Sequence, residues 1–205
     1  MLTLRQRTKT ALQELGLLAV IHRVKSVSIS HEIKQIRAAL PWYFYNGWLN
    51  RFPIHFVRVA YLRKALGLKL GDFCFIHMGA RFNGNIEIGD HTVIGRNCVF
   101  IGEISIGNNV SITAETYIFT TSHILDSPTF SCFDKKVVLE DHSWVGARAM
   151  IQPGVTMGKG SVLGSNSTAT KSIPAYTVFA GTPAKEIGKR KEGMNYDLQY
   201  SPYFE

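Results

Sequence analysis

Cysteine is scarce. Cys74, Cys98 and Cys132 are the only three in 205 residues, and no two stand at the short paired spacing of a zinc motif or a disulfide framework. A reducing, cytoplasmic setting is the simplest expectation, with membrane association left open. Long apolar runs are also missing. The longest near the N-terminus, Leu17 to Ile21, is far too short to span a bilayer. The opening Met1-Leu2-Thr3-Leu4-Arg5-Gln6-Arg7 puts charge ahead of any apolar stretch, so no secretory signal is expected. Charged residues make up only 19%, yet the formal net charge is +8. That excess favours an anionic partner: nucleic acid, anionic lipid, or a phosphorylated cofactor or substrate. No nucleic-acid fold motif is visible, which sets the first aside. Hydrophobic residues at 45% are enough for a buried core.

The chain reads in parts. Residues 1–68 form a basic, aromatic extension, otherwise irregular but with helices predicted over Thr10 to Val24 and Ile54 to Leu66, the second stopped by Gly67. Between them lies the aromatic cluster Pro41-Trp42-Tyr43-Phe44-Tyr45-Asn46-Gly47-Trp48. With Arg51 and Arg58 nearby, it fits either an interfacial surface or packing on the next part of the chain. Residues 69–185 carry an internal repeat. Stepping by six gives Leu70, Ile76, Phe82, Ile88, Ile94, Phe100, Ile106, Ile112 and Ile118, all large and apolar. At this composition such a run arises by chance about once in a thousand. The phase breaks, then returns as Leu139, Val145, Ile151, Met157 and Leu163. Small or β-branched residues sit four after many anchors, Cys74 and Cys98 among them, which gives both cysteines a core role.

A period of six fits neither an α-helix nor a flat strand. It fits a coil of short strands and turns, stacked so that the anchors form one buried column. Glycine after the anchor, as at Gly89 and Gly146, is expected where a corner needs an unusual backbone conformation. The expected fold is mainly β: a parallel β-helix with a loop excursion near 120–137, an N-terminal helical extension, and a C-terminal tail over 186–205. His77, His91 and His142 are expected to be exposed.

The repeat resembles the hexapeptide-repeat acyltransferases, whose fold is a left-handed parallel β-helix. Leu139 to Ala147, Ile151 to Gly158, Thr170-Lys171-Ser172-Ile173-Pro174 and Ala180-Gly181-Thr182-Pro183-Ala184-Lys185 are similar to the galactoside, maltose and polysaccharide O-acetyltransferase branch. The aromatic-basic extension lacks the short helical N-terminus of the maltose and galactoside enzymes. It looks more like O-acetyltransferases of capsule, O-antigen and exopolysaccharide synthesis. The resemblance implies acetyl-CoA as donor, a sugar or glycan hydroxyl as acceptor, and a homotrimer. Two other readings stay open: N-acetylation of an amino sugar nucleotide, and a non-catalytic β-helix scaffold.

The resemblance also implies roles. Acyl transfer needs a base, donors for an oxyanion and a slot for the thioester. His123, at the start of the excursion after Thr120-Thr121-Ser122, matches the family's general base. Asp126 or a backbone carbonyl would hold its second ring nitrogen. Trp144 lies along the pantetheine channel, and the Ala147 backbone N–H meets the thioester region. Ser165, Thr170, Lys171 and Lys185 match CoA contacts. Gly188 stands where a further family cation is expected, leaving Lys189 or Arg190 as substitutes. No His-x4-His occurs, so the zinc site of the carbonic anhydrases that share this fold is not expected.

Overall fold

The computed structural model describes residues 29–200, and the helix expected at Thr10 to Val24 lies outside them. The chain divides into two units, Met1–Pro41 and Trp42–Glu205. Helix α1 (Ile29–Gly47) runs through the boundary with Pro41 inside it. The sequence pattern predicts no helix there. An interior proline removes one backbone hydrogen bond and usually ends a helix, so local pattern argues against it. Helix α2 (His55–Lys64) is slightly shorter than expected.

From Lys69 the chain winds as a left-handed parallel β-helix with three faces. The first face stacks β1 (Lys69–Leu70), β4 (Ile86–Ile88), β7 (Ile104–Ile106), β12 (Val137–Leu139) and β15 (Thr156–Met157). The second stacks β2 (Phe75–Ile76), β5 (Val93–Ile94), β8 (Ser111–Ile112), β13 (Trp144–Val145), β16 (Val162–Leu163) and β18 (Thr177–Ala180). The third stacks β3 (Arg81–Asn83), β6 (Val99–Ile101), β9 (Tyr117–Phe119), β14 (Met150–Ile151) and β17 (Thr168–Ala169). Lys69 pairs with Glu87, and Arg81 with Val99, so one coil is three hexads. Each hexad supplies one short strand and one turn.

Of the fourteen anchors, all but the partly buried Leu70 are buried. All of the predicted small positions are buried as well, from Cys74 and Ala80 to Val155 and Ser161. Where these are polar they tie one coil to the next. The Thr92 hydroxyl donates to the Gly107 carbonyl at 2.8 Å and accepts from the Val110 N–H at 3.1 Å. Burial pushes the Cys98 thiol up to about 11, so it is an inert packing group near neutral pH.

The role expected of glycine is corrected. Gly89 and Gly146 do not adopt positive φ. They are small because the coils approach closely. A Cβ on Gly146 would stand 2.5 Å from the Ser165 nitrogen, and one on Gly89 would stand 2.6 Å from the Gly107 carbonyl carbon. The left-handed conformation falls instead on residues such as His91, Asn109 and His142.

A solenoid exposes unpaired backbone at its first coil. Here the segment 46–63 covers it. The Asn46 side chain donates to the Phe82 carbonyl (2.7 Å) and accepts from the Phe82 N–H (3.0 Å), acting as a missing strand. His55 Nε2 accepts from the Ile76 N–H at 3.1 Å. Burial, then the nearby Arg58 and His77, lower its pKa to about 4, so it stays neutral and able to accept near pH 7. Buried Arg58 donates to the carbonyls of Phe52 and Ile76, and Arg63 donates to those of Leu70 and Gly71. Packing on the first coil is therefore one role of the aromatic-basic segment.

At the other end, β19 (Lys185–Lys189) pairs antiparallel with β18. The chain then runs back along the edge between the first and second faces. Arg190 donates to the His142 carbonyl (2.9 Å) and the Tyr196 hydroxyl (3.2 Å), and Asn109 donates to Asp197 (3.1 Å). The Leu198 N–H donates to Asn109 at 2.9 Å. The Tyr200 ring packs 5.1 Å from that of His77. This strap corrects three expectations. His77 is buried, and His91 and His142 are half-buried, because the tail covers the edge on which His91 and His142 turn and its Tyr200 packs on Phe75 and His77 beyond it.

Candidate active site

The break in the repeat is a β-hairpin. Between β7 and β12, Ile104 pairs with Val137, 33 positions on rather than 18, and the surplus leaves the coil. It folds as β10 (Thr121–His123) against β11 (Cys132–Asp134), antiparallel, with His123 opposite Cys132. The hairpin is anchored at its base, where the Lys135 N–H donates to Thr120 and the Gly154 N–H donates to Lys135.

His123 is exposed, and its ring is held twice. Nδ1 lies 3.1 Å from the Phe130 carbonyl. A carbonyl only accepts, so Nδ1 carries the proton and Nε2 keeps its lone pair. The imidazole also stacks on the Phe130 ring, centroids 4.0 Å apart and planes 14° apart. Of the two partners left open by the sequence, the backbone carbonyl takes the role, and Asp126 stands exposed in the loop. Phe130 was not foreseen. Its φ of 49° is rare for a bulky residue, and nothing in local pattern signals that it faces a histidine seven positions earlier.

This arrangement makes one prediction. Phe130→Gly keeps the left-handed backbone and the carbonyl but removes the stack. Turnover is expected to fall about three- to tenfold, in line with a stacked pair worth roughly 0.5–1.5 kcal/mol. The Michaelis constant for acetyl-CoA should stay near wild type. Unchanged turnover would show that the ring does not position His123.

The other predicted residues lie on different parts of the prism. Trp144 is 48% exposed on the second face, where its Nε1 donates to Thr113 Oγ1 at 3.3 Å. Ala147 and Ser165 turn the edge between the second and third faces on successive coils, and the Asn166 N–H donates to the Ala147 carbonyl at 2.9 Å. Lys185 opens β19 opposite Ala180, one coil further along the second face. The Ala184 N–H beside it donates to the Thr168 carbonyl at 2.8 Å. Trp144, Ala147, Ser165 and Lys185 thus belong to one side of the prism. Thr170 and Lys171 follow β17 and are exposed on the edge between the third and first faces. The His123 hairpin leaves from this same edge, two coils earlier and so about 10 Å along the axis. Within one chain, the structure does not bring His123 beside Trp144.

The two edges differ in how they treat backbone donors. Between the first and second faces, the N–H groups of Asp72, Asp90 and Asn108 donate to the side chains of Asp90, Asn108 and Asp141 on the next coil. Between the second and third faces the equivalent residues are Ala114, Ala147 and Ser165. Ala114 and Ala147 carry no side-chain acceptor, the Ser165 hydroxyl takes no such bond, and among the described residues the N–H groups of all three meet no acceptor in the chain. A row of backbone donors is therefore left over there, of the kind suited to the amides and thioester carbonyl of a pantetheine arm or to a developing oxyanion.

Two of the expected cations are otherwise engaged. Arg190 holds the tail strap, and Lys189 pairs with Glu186 at 3.1 Å.

The family described as bacterial transferase hexapeptide (six repeats) matches residues 67–102 and 136–171, on either side of the hairpin. The chain is 32% identical over 137 residues to an Escherichia coli (strain K12) protein that carries the name colanic acid biosynthesis acetyltransferase WcaF. That match covers 65% of this chain and 75% of the relative. It is 34% identical over 139 residues to the galactoside O-acetyltransferase of Lactococcus lactis, covering 63% of this chain and 66% of that one. Among solved structures, it is similar to a hexapeptide-repeat-containing acetyltransferase of Vibrio cholerae complexed with acetyl coenzyme A. There the identity is 29% and the TM-score 0.63, with 80% of this chain and 92% of that chain covered.

Proposed function

The chain belongs to the hexapeptide-repeat acetyltransferases, and on that premise we propose that it moves the acetyl group of acetyl-CoA to a sugar hydroxyl during synthesis of a bacterial surface polysaccharide. The observation that carries this reading is His123 itself. Its Nδ1 is committed to the Phe130 carbonyl, which leaves Nε2 as the acceptor, on the exposed first strand of the hairpin. The relatives named for colanic acid biosynthesis and for galactoside O-acetylation support the acceptor class.

In this reaction Nε2 takes the proton of the acceptor hydroxyl as that oxygen attacks the thioester carbonyl. Backbone N–H groups on the Ala147–Ser165 edge stabilise the oxyanion. The tetrahedral carbon then expels the thiolate, which takes the proton from the imidazolium. The products are the sugar ester and CoA thiol. His123 and Trp144 lie on separate parts of one prism, so the complete site forms between copies: the hairpin of one against the second-face side of the next, in a homotrimer.

Lys171 and Lys185 would meet the CoA phosphates. Lys171→Ala should raise the Michaelis constant for acetyl-CoA roughly ten- to a hundredfold, the cost of one charge-assisted bond, with little change in turnover. Equal affinity of both proteins for CoA and dephospho-CoA would remove Lys171 from the 3′-phosphate.

The test of function is acetyl-CoA turnover against a panel of glycans and sugar nucleotides, with the new acetyl group located by NMR. An ester on a hydroxyl is the expected product. An amide on an amino sugar nucleotide would make the enzyme an N-acetyltransferase, and no turnover with any acceptor would favour a scaffold.

A further inference from the structure

We propose that the outer surface of the N-terminal cap, around α2 and the turn before it, is a docking surface for an anionic lipid bilayer. The inner side of this segment is used up by the first coil, through Asn46, His55, Arg58 and Arg63. The outer side is apolar where a free surface should be polar. Trp48 and Phe56 are each 71% exposed, and Phe52 and Ile54 are each 40% exposed, within nine consecutive positions. Four large apolar side chains exposed within so short a segment are the kind of surface that marks an interaction site.

Charge names the partner. Residues 1–71 carry 12 Lys and Arg against two acidic residues, Glu14 and Glu32, whereas residues 72–205 carry 11 against 13. The whole positive excess of the chain therefore lies in the segment that includes the cap. From Lys34 to Gly71 there is no carboxylate side chain at all; the exposed Arg51 adjoins Phe52 in the chain, and the exposed Lys64 lines a groove with Phe56. Aromatic side chains at headgroup depth, ringed by cations, are the chemistry of peripheral attachment to anionic lipid. A groove of about 460 Å³ is lined by Phe56, Lys64 and Phe73 together with Arg63 and Asp72. Arg63 is held there by Asp72 and by the carbonyls of Leu70 and Gly71, so Lys64 and the apolar walls are what the groove offers to a lipid headgroup and the start of its acyl chain. No described helix is long and apolar enough to cross a membrane.

Docking through the cap leaves the candidate site open. The His123 hairpin departs from the third coil, about 10 Å along the axis from the first, and Lys171 and Lys185 lie further still. The surface is independent of the acyl-transfer reading, because lipid binding is measured without any substrate.

The experiment is flotation of the full chain with vesicles. One set is phosphatidylcholine with roughly one-third phosphatidylglycerol, and the other is pure phosphatidylcholine. The wild-type chain should float with the anionic vesicles, release as salt rises, and stay largely unbound with the neutral ones. Arg51→Gln with Lys64→Gln should weaken binding about fivefold per charge removed. Trp48→Ser with Phe56→Ser should weaken it about tenfold or more. CoA-thiol release in free solution should be unchanged in both variants. Three outcomes would overturn the proposal. The wild-type chain fails to float; the variants float as well as wild type, which would put lipid binding elsewhere in the chain; or the variants change the oligomeric mass in light scattering, which would make the patch a contact between copies.

Discussion

His123→Ala is expected to lower turnover by about 10²–10⁴-fold, the range for loss of a positioned general base. The affinity for CoA and the oligomeric mass by light scattering should stay near wild type, because the imidazole lies on an exposed hairpin outside the coil and contributes nothing to the buried column. His123→Gln would not rescue, since an amide cannot take the hydroxyl proton at neutral pH. His142→Ala serves as the control. That residue sits on the opposite edge beneath the tail, its ring edge-on to Tyr196, so its loss should leave chemistry almost untouched. If His123→Ala kept more than about a third of wild-type turnover, well above what loss of the base allows, another group would have to take the proton.

The second large effect is on stability. Phe100 is fully buried in β6 and stacks on Phe82, centroids 5.1 Å apart and planes 8° apart. Phe100→Ala should cost about 3–5 kcal/mol, the usual penalty for an aromatic ring removed from a packed core. For a chain of this size that is a fall in melting temperature of about 6–20 °C. The ring belongs to the second coil, held on both sides by neighbours that cannot collapse without breaking register with β3 and β9, so little of the cavity can refill. A change below about 1 kcal/mol would mean the coil repacks far more freely than close-packed interiors do.

The coil was legible in the sequence through its periodicity. Each coil places an inward side chain every sixth residue, so Ile76, Ile94 and Ile112 stack on one face and Phe82, Phe100 and Ile118 on another, and the pattern can be read without knowing the neighbours. The hairpin was legible for the converse reason, as a stretch that abandons the phase. Contacts between distant segments were not legible. Asn46 replaces a strand for Phe82, 36 positions away, and nothing around either residue announces the other. Tyr200 covers His77 across more than a hundred positions, which is why that histidine read as exposed. α1 was missed because Pro41 carries a local penalty, yet the helix continues through it. At the candidate site, the histidine was readable from its place at the break. The Phe130 ring and carbonyl that aim it depend on the fold of the hairpin, and the free N–H row at Ala114, Ala147 and Ser165 depends on which coil lies next to which.

Acceptor-dependent release of CoA thiol is the most direct measurement of what this chain does. With acetyl-CoA and a bacterial surface polysaccharide or its repeat unit, the wild-type protein should release thiol continuously, and far more slowly without acceptor. The acetylated product should lose its acetyl group to alkaline hydroxylamine, as an ester does and an amide does not. Thiol release that is independent of any hydroxyl acceptor, or a product whose acetyl group resists hydroxylamine, would contradict transfer to a sugar hydroxyl.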